Sequence, residues 1–96
     1  MFKEIEPQKV QEMQEEGAVN VVDIRDENSY SIGHIPNSVS LNDANVKEYI
    51  ESTDKEKPLV VCCYHGNSSR GAAEYFSQQG FKEVYSMTGG FAAWPA

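Results

Sequence analysis

The chain has 96 residues, 40% of them hydrophobic, and fifteen acidic against eight basic side chains give it a net charge of −7. That length allows one domain at most, since domains usually hold ~100–150 residues, and residues 1–96 are read as that single domain. The acidic excess speaks against nucleic acid or an anionic membrane as partner, because both select basic surfaces, so an anionic substrate would have to meet a local positive field.

Met1-Phe2-Lys3-Glu4-Ile5-Glu6 lacks the apolar core of a signal peptide, and no apolar run approaches membrane-spanning length. A cytoplasmic location is therefore expected. Pro7 after Glu6 marks a helix start, Val10, Met13 and Gln14 follow at helical spacing, and Gly17 marks the stop. Ala18 to Ile24 is predicted as a buried strand. Asp26 to Ser31 is predicted as a short helical turn, closed by Gly33-His34-Ile35-Pro36. Ser38 to Leu41 is a short strand, Asn42 to Ile50 a helix, and Ser52 to Lys57 a charged loop. Leu59 to Cys62 is the most apolar strand. Ser69 to Gln79 follows as a helix with Ala72, Ala73, Tyr75 and Phe76 inward and Gly80 as its stop. Glu83 to Ser86 is a last strand, and Gly89 to Trp94 a short final helix. Strands apolar on both faces, alternating with helices through short links, predict an α/β fold with a parallel sheet covered on both sides.

The two cysteines, Cys62 and Cys63, are adjacent. They form no disulfide framework and lack CxxC spacing, and two Cys with two distant His are a poor structural zinc set. Neither a metal nor another cofactor is expected. Cys62 lies inside the strand and reads as packing. Cys63 falls at the strand's carboxyl end, where sites gather in open α/β sheets. The next helix would aim its unpaired amides and positive dipole end at the Cys63 sulfur. Gly66 permits a sharp turn, and small Asn67, Ser68 and Ser69 let amides converge on one point. Helix-terminus cysteines ionise at ~3.5–7.5 rather than ~8.5, and a drop of ~2 units corresponds to roughly 2.7 kcal/mol of anion stabilisation. The alternative, a small buried hydrophobe, explains the cysteine alone but not the turn, the helix start and Arg70 together.

Among anion-cradling motifs, a Walker A loop would need Lys and Ser/Thr where Ala72 and Ala73 stand. A cysteine phosphatase pattern, Cys-x5-Arg, would put arginine at position 69. That residue is Ser69, and Arg70 is out of register by one. Asp43 is the one guess for a general acid. The register difference points to a smaller acceptor, a single sulfur on the cysteine.

Cys63-Tyr64-His65-Gly66-Asn67-Ser68-Ser69 with Gly71-Ala72-Ala73 resembles the active-site segment of the single-domain rhodaneses. Val22-Asp23-Ile24-Arg25-Asp26 is similar to the family's Asp-x-Arg segment. Gly33-His34-Ile35-Pro36-Asn37-Ser38 is similar to its Gly-His-Ile-Pro-Gly-Ala turn, with Asn and Ser replacing Gly and Ala. Gly89-Gly90-Phe91-Ala92-Ala93-Trp94 resembles its closing segment. The resemblance implies a rhodanese-like three-layer α/β/α fold with a five-stranded, mainly parallel sheet. It implies thiosulfate sulfurtransferase activity. Cys63 would take the outer sulfur of thiosulfate as a persulfide, release sulfite and pass the sulfur to cyanide or to a thiol, such as a dithiol protein like thioredoxin.

Tyr64, His65, Gly66, Asn67, Ser68, Ser69 and Arg70 are then the loop expected to bind substrate and stabilise the persulfide, chiefly through backbone amides. Arg70 either attracts thiosulfate or is a solvated surface arginine. His65 either supports the thiolate or caps backbone carbonyls, and Ser68 could donate its hydroxyl to the sulfur. Asp23 and Arg25 are read as a structural pair, His34 as fixing its turn, and Phe91 and Trp94 as core. Two rivals stand beside this activity: a phosphatase or arsenate reductase on the same fold, and a non-catalytic docking module.

Overall fold

In a computed structural model, described for residues 1–95, a five-stranded parallel sheet has the order β1-β5-β4-β2-β3. The final residue of the 1–96 domain read from the sequence, Ala96, lies outside the described residues. The strands are β1 (Lys3–Ile5), β2 (Asn20–Asp23), β3 (Val39–Ser40), β4 (Leu59–Cys62) and β5 (Val84–Met87). The helices are α1 (Pro7–Glu15), α2 (Glu27–Ile32), α3 (Val46–Ser52) and α4 (Ser68–Gln78), with a 3-10 turn at Phe91–Ala93.

The alternation of side chains along β4 splits the core in two. Leu59 and Val61 face one side with Val22, Val84, Ile50, Ala73 and Phe76. Val60 and Cys62 face the other with Val21, Val10, Ile35 and Met87. Every residue of β4 is therefore buried. Being central, with β2 and β5 on its flanks, β4 delivers its carboxyl end into the middle of the molecule's functional edge.

Several predicted elements shift for local reasons. The predicted first strand shortens at both ends, and the Ala18 amide instead donates to the Met13 carbonyl, finishing α1. The predicted Asn42–Ile50 helix begins only at Val46. The Asn42 side chain accepts from the amides of Ala44 and Asn45, and the Asn45 side chain accepts from the Asn42 amide. Such bonds hold a segment out of a helix. Tyr75, predicted inward, is 45% exposed, whereas Ser69, Ala73 and Phe76 form the buried stripe of α4. The final helix is a single 3-10 turn. β1, absent from the sequence reading, pairs with β5 and buries only Ile5.

Candidate active site

The chain leaves β4 at Cys62 and enters α4 at Ser68 through a turn that alternates between floor and rim. Cys63, Gly66 and Ser69 are buried, whereas Tyr64, His65, Asn67 and Ser68 are exposed. Gly66 has φ +91, and a side-chain carbon there would meet the Gly89 amide nitrogen at 2.8 Å. Glycine at this position lets the turn reverse and pack on the Gly89-Gly90 turn.

That reversal aims amides at sulfur. The Gly66 N–H donates to Cys63 Sγ at 3.1 Å and the Ser69 N–H at 3.3 Å. Asn67, which precedes α4, makes no side-chain cap, so the sulfur accepts the helix-start donor that a capping side chain usually satisfies. Burial of the sulfur opposes its ionisation. Hydrogen bonding from the Ser69 hydroxyl and from the Ser69, Gly66 and His65 amides outweighs that, and the Cys63 thiol lies below its ordinary value.

A second turn braces the first. The Phe91 N–H donates to the Cys63 carbonyl at 2.7 Å and the Ala92 N–H to the Tyr64 carbonyl at 3.1 Å. Gly90 (φ +61) sits so close to the loop that an added Cβ would lie 2.4–2.5 Å from Tyr64 C, Cys63 O and His65 N.

Arg25 ties these parts together. Its guanidinium is paired with buried Asp23 (Nη2 to Oδ2 2.7 Å) and donates to the Gly33 carbonyl at 2.7 Å. It lies 4.2 Å from the Phe91 ring centroid and 5.8 Å from that of Tyr64. The Tyr64 hydroxyl also meets Ser29 Oγ at 3.0 Å, and Ser29 donates to Asp26. The loop rim is thus joined to α2, and a buried cation underlies it.

The profile of the rhodanese-like domain matches residues 6–96. The chain belongs to the rhodanese-like family. It is 52% identical over 95 residues to the "Thiosulfate sulfurtransferase GlpE" of Ectopseudomonas mendocina, spanning 99% of this chain and 86% of that protein. It is 50% identical over 93 residues to the GlpE of Pseudomonas aeruginosa, spanning 97% and 84%. Among solved structures, a rhodanese-related protein from Thermoplasma volcanium superposes with a TM-score of 0.81 at 29% identity, covering 97% of this chain and 90% of that one.

Within this rhodanese fold the residues singled out in the sequence separate into groups. Cys63, Gly66 and Ser69 come together at the sulfur, and the Cys63–Ser69 contact runs through Ser69, not Ser68, which is exposed. Arg70 turns back along the loop: Nε donates to the Gly66 carbonyl at 3.2 Å and Nη2 to Asn67 Oδ1 at 3.0 Å. Asp43 borders a groove of about 340 Å³ with Ile24, Leu41 and Phe76, a groove that Cys63 does not line. His34 stacks on Tyr30 and its Nδ1 lies 2.8 Å from the Tyr30 carbonyl, within its turn.

Cys62 is fully buried, donates weakly to the Cys63 carbonyl, and has its thiol pushed up to about 12 by burial and by the Asp23 charge. Two participants went unread in the sequence. The Phe91-Ala92 amides matter through backbone donors, which carry no side-chain signature. Ser86, whose Oγ lies 2.7 Å from Ser69 Oγ, sits in β5 as a polar residue amid apolar neighbours, and that interruption was its only signal.

Proposed function

We propose that this chain is a thiosulfate sulfurtransferase in which Cys63 carries the sulfur. The Cys63 thiolate attacks the outer sulfur of thiosulfate, the S–S bond of thiosulfate breaks, and sulfite departs with its electron pair. The enzyme is left with a persulfide anion on Cys63. Cyanide or a thiol then attacks the outer sulfur, leaving as thiocyanate or as a persulfide, and the thiolate returns.

The observation that carries this reading is the pair of amide donors on Cys63 Sγ. The same cradle can hold the anion before transfer and, shifted outward by one atom, the persulfide anion after it, so no donor has to be rebuilt between half-reactions. The curated relatives of about 50% identity, named as thiosulfate sulfurtransferases, support the donor. Arg70 supplies a cation beside a site on an acidic chain, which favours approach of thiosulfate, whereas the Arg25 charge is balanced by Asp23. Arg70 is engaged by the Gly66 carbonyl and Asn67; this favours sulfur over a phosphate ester, which would need that guanidinium for its oxygens.

Tyr64, His65, Asn67 and Ser68 form an exposed rim around the nearly sealed sulfur, and the thiol acceptor we assign is a dithiol protein of the thioredoxin kind docking on that rim. Among the described residues no helix is long and apolar enough to cross a membrane, and we assign action as one domain in the cytoplasm. Intact mass spectrometry tests the proposal. Thiosulfate should add one sulfur, cyanide should remove it as thiocyanate, and Cys63→Ser should gain nothing. Sulfur loading of Cys63→Ser, or phosphate-ester turnover without thiocyanate formation, would overturn it.

A further inference from the structure

β5 directs Val84 and Ser86 to the side of the sheet that α4 covers, where Val84 packs with Ala73 and Phe76. Ser86 is 1% exposed, and Ser69, at the first turn of α4, is 0% exposed. Their hydroxyl oxygens are 2.7 Å apart. Two hydroxyls in one dry contact own two protons but share one hydrogen bond, so the second proton needs another acceptor. The sulfur of Cys63 is at hand, since it already accepts the Ser69 amide at 3.3 Å.

The direction of the shared bond decides what the sulfur meets. If Ser69 donated to Ser86, the Ser69 oxygen would offer lone pairs to a thiolate, and the Ser86 proton would be left among the apolar side chains beside β5. If Ser86 donates, the Ser69 proton is free to turn to the sulfur, and both protons are used. An anion on Cys63 favours the second arrangement.

We propose that Ser86 is a positioning residue of the sulfur site: its hydroxyl donates to Ser69 and so turns the Ser69 hydroxyl proton toward Cys63. Its catalytic meaning rests on Cys63 being the sulfur carrier. The Ser69 hydroxyl is among the groups that hold the Cys63 thiol below its ordinary value. The titratable groups around the sulfur are Arg25 with Asp23 at the end of β2, Cys62 of β4, His65 and Tyr64 of the loop, and Arg70 of α4. None of these hydrogen-bonds either serine hydroxyl among the described residues, so removing the Ser86 oxygen leaves them in place.

The test is the pH profile of Cys63 alkylation by iodoacetamide in the full chain, for wild type, Ser69→Ala, Ser86→Ala and the double variant. Ser86→Ala should raise the apparent thiol pKa by about 0.4–1 unit, the equivalent of one hydrogen bond. Ser69→Ala should raise it at least as far, and adding Ser86→Ala to Ser69→Ala should change nothing further, because Ser86 acts through the hydroxyl already lost. An unshifted profile in Ser86→Ala, or full additivity in the double variant, overturns the proposal. A residue that only packs would move the thermal midpoint and leave the profile where it was. Sulfur loading by thiosulfate, read by mass in the same samples, reports on the proposed activity separately, because alkylation needs no sulfur transfer.

Discussion

Cys62, the last residue of β4, and Cys63, the first beyond it, are both nearly sealed from solvent at 0% and 3% exposure, yet their thiols are pushed in opposite directions. Cys62 points into the apolar layer with Val21 and Val60, and the nearest carboxylate, Asp23, is its register partner on β2. Burial and the Asp23 charge there outweigh the pull of the Arg25 cation, and an anion is disfavoured. Cys63 points into a turn whose Gly66 and Ser69 amides donate to its sulfur. Burial is common to the two sites, so burial does not set reactivity. What differs is the direction of the surrounding dipoles, which reverses within one residue where the strand stops and α4 begins.

The largest effects should come from exchanging the roles of this pair. Cys63→Ser is expected to abolish sulfur loading, a loss of at least ~1000-fold in thiocyanate formation. Cys62→Ala should leave it within about threefold and cost stability of about 1 kcal/mol for the small cavity, read by urea unfolding. Comparable turnover by both variants would erase the distinction.

Next in size is Asp23→Asn, which strands the Arg25 guanidinium in a buried site where it is 7% exposed. Breaking such a pair from one side should cost about 3–5 kcal/mol in urea unfolding. Gly90→Ala comes after it, at about 2–3 kcal/mol, because the residue has positive φ and its Cβ would overlap the Cys63–His65 backbone. This variant should also return the Cys63 thiol toward the ordinary range in alkylation profiles, since the loop must move to admit the methyl group.

The pH response separates the two thiols further. Cys63 is lowered, so its alkylation rate should rise with pH and level off below the usual thiol value of ~8.5. The folded state holds that anion better than the unfolded chain does. Cys63 therefore contributes stability that is fully present above ~8.5 and lost as pH falls through its folded value. Cys62 has the opposite sign. Its contribution is intact below ~8.5 and is lost as pH rises toward about 12, because the unfolded chain gives up the proton first. Urea unfolding between pH 8 and 11 should show Cys62→Ala declining less steeply than wild type. The smallest effect is expected for exposed Arg70→Ala: a rise of about two- to fivefold in the KM for thiosulfate with kcat within twofold, since a screened surface cation aids capture more than chemistry.

The three inner strands, β2, β4 and β5, and the edge strand β3 were all read from the sequence, and Leu59–Cys62 was legible to the residue because both its faces are covered. β1 was not legible. Lys3-Glu4-Ile5 is polar at two of three positions and becomes a strand only because β5 offers it a free edge. The start of α3 was misread because Asn42 and Asn45 use their side chains against the backbone, an outcome that propensity along the chain does not reveal. Tyr75 looked like core from its aromatic ring, but the stripe through Ser69, Ala73 and Phe76 turns it outward.

At the site, the order of residue types already held a great deal. A cysteine at a strand end, glycine three residues on and a helix start can be read in one dimension, because strand, turn and helix geometry are local. Of the two serines singled out, Ser69 is buried with its amide on the sulfur and Ser68 is exposed, a difference of one residue that amounts to about 100° around a helix. The linear chain also pointed to the rhodanese segments and their order. Only the tertiary structure decided that the Gly89–Ala92 turn carries the loop from beneath, that Arg25 lies against Tyr64 and Phe91, and that Ser86 meets Ser69. Those contacts join residues far apart in the chain, and they depend on strand order and on which face each side chain takes, which no local pattern encodes.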